Sequence, residues 1–349
     1  MGNADRDKVL VTGGAGFIGS HLVNRLVREG RNVRVLDRPT ARIDHLPLHQ
    51  VEVVRGDIRD RTAVRKALDG IGEVYHLAAN PQLWTYPRRQ FHEVNFLGTV
   101  HVLEEALRAG VRRILHTSTE SILTRSRQSE PIREDQVVPS DDIIGPYCRS
   151  KHRAENFALS LGKRGHPVIV VNPTLPVGPG DWGCSPPTRM MLDFCLGKRA
   201  QYLDAELNLM DVRDIAEGMI QAVRLGKPGR RYLLGHENLS IQMVFRILSE
   251  LTGVPEPRWK VPYWVALTAA CFSELIADNW TREIPAASMT GVMLTRRRMH
   301  FDSSQSLREL EIQPRSVRHS MEEAVAWFRQ VGWLKEHVRS RKPDSLAKQ

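Results

Sequence analysis

Val9-Leu10-Val11-Thr12-Gly13-Gly14-Ala15-Gly16-Phe17-Ile18-Gly19-Ser20 is the stretch whose reading decides the fold. Val9 to Thr12 are apolar or β-favouring, which predicts a short buried strand. Apolar residues then recur at 18, 22 and 26, with 23 and 27 beside them, and stop at Gly30, which predicts a helix. Gly13, Gly16 and Gly19 stand at the junction. Gly13 suits a tight turn, Gly16 removes a side chain where a phosphate must approach, and Gly19 lets helix and strand pack closely. A helix N-terminus offers unpaired N–H groups and a positive dipole end, so the junction suits a pyrophosphate. Three glycines alone are a weak signal. Here the strand, the helix and a later acid all stand where a dinucleotide site needs them. Phe17 and Ile18 complete the candidate loop with the three glycines.

The later acid is Asp37, after the predicted strand Val33–Leu36. A carboxylate there can accept hydrogen bonds from the adenosine ribose and repel a 2′-phosphate, which favours NAD. Arg38 beside it could instead meet a 2′-phosphate, so NADP stays open, and Asp37 could simply cap the turn before Pro39.

From here strands and helices alternate. Strands are predicted at 51–54, 74–77, 114–117 and 168–171, and helices at 61–68, 91–109 and 146–161. That alternation means right-handed βαβ crossovers and an α/β fold, a Rossmann-type doubly wound parallel sheet. Ligands of such sheets bind at the carboxyl ends of strands, so the loops after residues 12, 37, 55, 77, 117 and 172 should meet at one crevice. The nucleotide-binding domain is expected over 7–172. Prolines at 173, 176, 179, 186 and 187 then break the pattern. Residues 173–335 read as a smaller C-terminal substrate lobe with one strand, 231–234, returning to the core, and 336–349 as a polar tail.

The chain has 349 residues, a formal net charge of +10 and a sequence pI of about 9.7. Its Lys and Arg are scattered, and no basic stripe interleaved with aromatics accompanies them, so nucleic acid is not an expected partner. The excess charge fits attraction to phosphates or an anionic membrane face, or simple solubility. Four cysteines, at 148, 184, 195 and 271, lack metal-ligand spacing, which fits a reduced cytoplasmic setting and no metal. The polar first ten residues predict no secretory leader, and Arg6 is wrong for myristoylation of Gly2. Val261–Ser273 carries no charge but is shorter than the ~20 residues that span a bilayer. It reads either as a helix packed in the small lobe or as an apolar lip or peripheral membrane contact.

Tyr147 and Lys151 lie four apart on the predicted helix 146–161 and therefore share a face. A free phenol has a pKa near ~10, and a nearby ammonium favours its ionised form. Tyr147 can then exchange a proton with a ketone or alcohol, while Lys151 holds the nicotinamide ribose. Thr117-Ser118-Thr119 follows the fifth strand, where a hydroxyl can donate to a substrate oxygen as charge develops, or cap a turn.

Taken in order, Gly13-x-x-Gly16-x-x-Gly19, Gly56-Asp57, His76-Leu77-Ala78-Ala79, Asn95, Thr117-Ser118-Thr119, Tyr147-x-x-x-Lys151 and Asn172-Pro173 resemble the extended short-chain dehydrogenase/reductases over residues 7–335. Within that group the chain resembles the dihydroflavonol-reductase and 3β-hydroxysteroid-dehydrogenase branch. It is similar above all to hopanoid-associated sugar epimerases, through Leu83-Trp84, Asn172 to Pro179, Asn208-Leu209, Glu237-Asn238-Leu239 and Thr290-Gly291-Val292. The resemblance implies that Asp57 and Ile58 contact adenine, that Ala78, Ala79 and Asn172 belong to the cofactor groove, and that Asn95 organises the active-site helix. It implies Thr119 as the catalytic hydroxyl with Ser118 beside it, Tyr147 and Lys151 as the catalytic pair, and a homodimer through helices 91–109 and 146–161. Two positions depart from it: the hopanoid-associated relatives often lack an acid at 37, and Glu120 stands where reductases carry a small or apolar residue. Thr119-Glu120-Ser121 partly matches the Thr-Asp-Glu of sugar-nucleotide dehydratases.

The expected function is hydride transfer between a nicotinamide and a ketone or secondary alcohol of a bulky terpenoid, steroid-like or polyketide substrate. Leu83, Trp84, Tyr86, Trp182 and the Val261–Phe272 stretch are candidate apolar walls. The alternative is a nucleotide-sugar epimerase or dehydratase that returns the hydride internally, with Arg189, Lys198 or Arg213 on a pyrophosphate and Glu120 as an acid. An inactive dinucleotide sensor is the third reading.

Overall fold

The computed structural model describes residues 7–126 and 129–334, so the expected polar tail lies outside the described residues. In chain order the first elements are β1 (Lys8–Thr12), α1 (Phe17–Arg28), β2 (Val33–Asp37), β3 (Val51–Arg55), α2 (Arg61–Leu68), β4 (Ile71–His76), a π-helical segment Phe91–Gly98 that runs into α3 (Thr99–Arg108), β5 (Arg113–Thr117), α4 (Gly145–Lys163) and β6 (Val168–Pro173). Beyond them lie β7 (Leu175–Val177), α5 (Pro186–Cys195), β8 (Gln201–Tyr202), β9 (Glu206–Asp211), α6 (Val212–Leu225), β10 (Arg231–Leu234), β11 (Glu237–Ser240), α7 (Ile241–Thr252), β12 (Trp259–Lys260), α8 (Tyr263–Ile276), α9 (Met289–Leu294), α10 (Ser304–Glu309) and α11 (Val317–Gln330).

Seven parallel strands form the central sheet in the order β10-β6-β5-β4-β1-β2-β3. The chain winds outward from β1 to β3, then crosses back to β4 and winds the other way. The strand order therefore reverses between β1 and β4, and the crevice opens at their carboxyl ends. Strand alternation puts Val9, Val11, Val33, Val35, Leu115 and Val171 on one face, against Leu22 and Leu26 of α1 and Ile215 and Met219 of α6. It puts Leu10, Leu36, Val74, Ile114, Val168 and Val170 on the other, against Val64 of α2, Leu103 of α3 and Ala158 of α4. Strands buried on both faces have no polar side to expose, which is why they read as continuous apolar runs.

Two local features differ from expectation. The predicted helix 91–109 begins as a π-helix, Phe91–Gly98, before turning α-helical. Wider turns of this kind insert a residue and are frequent at functional sites. The C-terminal lobe also holds more strands than β10: β7 and β11 flank β9, and β8 pairs with β12. Pro176 hides β7 from a pattern reading, yet a proline is tolerated on an edge strand such as this one. The lobe has its own core, in which Phe194 of α5 stacks on Phe245 of α7 with ring centroids 5.1 Å apart.

Candidate active site

The glycine loop sits where the strand order reverses. Gly13 has φ +72°, and a Cβ there would lie 2.7 Å from the Ala78 amide nitrogen, so the β1 and β4 loops meet backbone to backbone. The N-cap of α1 is Gly16, with no side-chain cap and no acid in the first turn. In contrast, Asp60 caps α2 and Asp211 caps α6 through their carboxylates. The first amides of α1, including those of Phe17 and Ile18, thus lack the carboxylate partner that α2 and α6 carry, and this fits a pyrophosphate. Asp37 accepts hydrogen bonds from the Ala15 and Arg38 backbone N–H groups at 2.9 and 2.8 Å, so the end of β2 is fastened to the glycine loop. The Arg38 side chain is exposed.

Further along the groove, Asp57 is ion-paired with Arg59 at 2.7 Å, and Ile58 is buried against Gly98 of the π-helical segment. Ala78 donates its N–H to the Thr12 hydroxyl. Asn95 is fully buried: its amide accepts from Asn80 N–H at 2.7 Å and donates to the Asn80 carbonyl and the Ser150 hydroxyl. It ties the Ala78–Asn80 loop to α4. The π-turn aims this amide inward.

α4 brings Tyr147, Lys151 and Glu155 onto one face, one turn apart. Lys151 donates to the Thr117 carbonyl at 2.7 Å, which anchors its ammonium at the end of β5. Burial lowers Lys151 to about 8, and the Glu155 carboxylate opposes that shift. His76, held between Thr12 and Thr99, is kept neutral, lowered to about 3 by burial and by Lys151. Burial raises the Tyr147 phenol above its ordinary value, with Cys148 and Glu120 adding to the rise, while a hydrogen bond with Thr119 opposes it. Thr119 also donates to the Glu120 carboxylate at 2.8 Å, and Glu120 is pushed up to about 6 by burial. The hydroxyls of Thr117 and Ser118 are buried without a partner among the described residues. Unsatisfied hydroxyls beside a buried lysine and a partly buried tyrosine are costly, and a bound nicotinamide and substrate oxygen would satisfy them.

Asn172 lies at the end of β6, fully buried, and donates to the Thr119 carbonyl at 2.9 Å and to Glu155 at 2.6 Å. Glu155 is in turn ion-paired with Arg231 of β10. Sequence reading missed both Glu155 and Arg231. The spacing of four from Lys151 was a usable signal for the first, but nothing local marks the second. Glu155→Gln should move the alkaline limb of the kcat/KM profile to lower pH, because an ammonium deprived of its anionic neighbour loses its proton more readily. A purely structural role would lower the melting temperature and leave that limb in place.

The substrate candidates are dispersed. Leu83 packs with Tyr147 in an apolar cluster around Ile122, Ile143, Leu294 and Phe301. Trp84 is buried and donates its indole N–H to Asp278 at 3.0 Å. Trp182 packs instead on Trp327, His45 and Arg42, beside the loop after β2. Arg189 lies on the exposed side of α5 near Cys184. All four cysteines are free thiols.

Comparison with known proteins agrees with this geometry. Residues 9–235 match the NAD dependent epimerase/dehydratase family. A protein of Synechocystis sp. that carries a dihydroflavonol 4-reductase name is 35% identical, over 94% of this chain and 96% of its own. The sterol demethylase protein B of Methylococcus capsulatus is 33% identical, over 93% of this chain and 99% of its own. The crystal structure of gox2253 superimposes with a TM-score of 0.83 at 34% identity, covering 95% of this chain and all of that one. The chain belongs to the NAD-dependent epimerase/dehydratase family and is an NAD-dependent oxidoreductase of the extended short-chain dehydrogenase/reductase type.

Proposed function

We propose that the protein interconverts a ketone and a secondary alcohol on a bulky, ring-containing apolar substrate of terpenoid, steroid-like or polyketide type, with net consumption of the cofactor. One observation carries the reading: Tyr147, the proton-exchanging group, is partly buried and packs with Leu83 against a hydrocarbon cluster that includes Ile122, Ile143 and Phe301. A substrate oxygen that reaches its phenol brings its carbon skeleton against those side chains. The sterol named for the Methylococcus relative supports the same class. Arg213, a candidate for a sugar-nucleotide pyrophosphate, is already engaged by Asp211 and Glu323, which weakens the sugar reading.

The glycine loop, the uncapped α1 and the orphaned hydroxyls support a cofactor held by Gly13, Gly16, Gly19, Asp37, Lys151 and the Thr117–Ser118 strand end. Bound there, the nicotinamide supplies or accepts the hydride. Tyr147 gives a proton to the substrate oxygen during reduction, or takes it during oxidation, and the Thr119 hydroxyl, turning from the Glu120 carboxylate, donates to the same oxygen as its charge grows. Lys151 lowers the cost of the phenolate and orients the ribose. Asn95 and Asn172 hold the loops that carry these groups. The setting is cytoplasmic and the assembly a homodimer through Phe91–Arg108 and α4, where Leu97 is exposed.

The deciding experiment follows reduced-cofactor absorbance and product together, on a panel of steroid and terpenoid ketones. One cofactor oxidised per alcohol formed supports the proposal, with NADH used at least as well as NADPH. Product formed with no net change in cofactor overturns it. Glu120→Gln should cost this reaction less than about 10²-fold, because its carboxyl is not the proton donor. A larger loss points to the dehydratase chemistry, for which the buried Thr119–Glu120 hydrogen bond is the specific support.

A further inference from the structure

Helix α8 carries its polarity the wrong way round for a surface helix. Its acid, Glu274, is buried, pairs with Arg88 at 2.6 Å and accepts from the Met289 N–H at 2.8 Å. Asp278, in the π-turn Ala277–Thr281 that follows, also faces inward onto Arg88 and Trp84. The outward side holds Trp264 (71% exposed), Phe272 (63%), Leu275, Ile276 and Trp280 (75%), and Ile284 just beyond is 66% exposed. Positions 264, 268, 272, 276 and 280 form one stripe along the axis. Isolated exposed apolar residues are ordinary, but a continuous stripe with this much aromatic area marks a contact surface.

The charges beside the stripe say what it contacts. Of the six Lys or Arg in residues 257–300, Lys260, Arg297 and Arg298 pair with Asp204, Asp142 and Glu206, while Arg258, Arg282 and Arg296 have no ion pair among the described residues; of the three acids there, Glu274 and Asp278 are the inward pair. Arg296 lies over the Tyr263 ring at the start of α8, and Arg282 lies over Tyr86 at its far end. Both cations are exposed, as are Arg258 and Trp259 just before the helix. The layout is an apolar ridge with indoles along it and cations at both ends. A second copy of the chain would set these cations against their own images. An anionic lipid surface complements both parts, with headgroups meeting the arginines and Trp side chains settling at the interface. At 14 residues α8 is about 21 Å long, and among the described residues no helix is long and apolar enough to cross a membrane.

We propose that α8 and the Ala277–Thr281 turn form a docking face for an anionic lipid bilayer, lying flat in its headgroup layer. This is independent of the substrate reading, because neither α8 nor the turn supplies a proposed catalytic or cofactor group. The contact also reaches the site: Trp84 and Arg88 hold α8, and Leu83 beside them packs in the Tyr147 cluster.

The test is co-sedimentation of the full chain at low salt with vesicles of phosphatidylglycerol and phosphatidylcholine, against phosphatidylcholine alone. Binding is expected to the anionic vesicles, to weaken as salt is raised, and to fall at least about tenfold in the triple variant Trp264→Ser/Phe272→Ser/Trp280→Ser. Arg282→Glu/Arg296→Glu should weaken it while leaving the apolar ridge in place. Unchanged cofactor affinity in each variant shows that the fold is retained. No binding at low salt overturns the proposal, as does full binding by the triple variant. A triple variant that turns a dimer into a monomer assigns the face to a second copy and overturns it too.

Discussion

Tyr147→Phe should lower kcat by about 10²–10⁴-fold and leave cofactor affinity within about twofold of the parent, the range expected when a single acid–base group is lost. The substitution removes one oxygen. The ring keeps its edge contact with Phe91, with centroids 6.0 Å apart, and its place beside Leu83. Lys151 remains on the Thr117 carbonyl, so the ribose side of the site is undisturbed. What disappears is the hydroxyl proposed to exchange a proton with the substrate, together with its hydrogen bond to Thr119. Steady-state turnover and a fluorescence titration with the cofactor read the two quantities separately. A phenylalanine variant as active as the parent would remove Tyr147 from the chemistry and leave the uncapped α1 as the only part of the site still accounted for.

Gly19→Ala should abolish measurable cofactor binding and destabilise the protein by about 1–3 kcal/mol, the usual range for over-packing. A Cβ at position 19 would lie 2.2 Å from the Gly13 carbonyl oxygen and 2.9 Å from Gly14 Cα. Both are backbone atoms, so no side chain can swing aside, and the loop must open. The turn at Gly13 also carries the contact with Ala78, so the disturbance crosses from β1 to β4. Gly30→Ala is the matched control. It changes a glycine just beyond the other end of α1, at φ +74°, where a Cβ would meet nothing within 4 Å. Calorimetric titration with NAD should therefore detect a loss for the first and none for the second, although both lower the melting temperature.

The parts of the fold that could be read in advance are those written in neighbouring residues. β1 and α1 announce themselves because an apolar run, three glycines and helical spacing follow one another between residues 9 and 27. Tyr147 and Lys151 were legible for the same reason, a fixed offset on one helix. Asn95 was found by resemblance, but its work, clasping Asn80 and Ser150 from a π-turn, depends on a backbone widening that no residue pattern signals. Arg231 was read only as part of a returning strand, since its partner Glu155 lies 76 positions earlier. For Val261–Ser273, length and hydropathy gave two readings, and neither could show Arg88, a distant cation that pairs with Glu274 on the inward side of the helix while Trp264 and Phe272 lie outside. Trp84 and Trp182 were grouped by composition. The chain puts one beneath α8 and the other beside the loop after β2, because indoles fill gaps wherever packing leaves them.

The link from Arg231 through Glu155 and Asn172 to the Thr119 carbonyl limits how this enzyme can be divided. A nascent or truncated chain stopping near position 172 lacks residue 231 and would hold the buried Glu155 carboxylate without its guanidinium partner. Swapping C-terminal lobes between relatives therefore requires that positions 155, 172 and 231 travel as a set. A hybrid that inherits them from different parents would form the glycine loop and misplace the Thr119 hydroxyl proposed to meet the substrate.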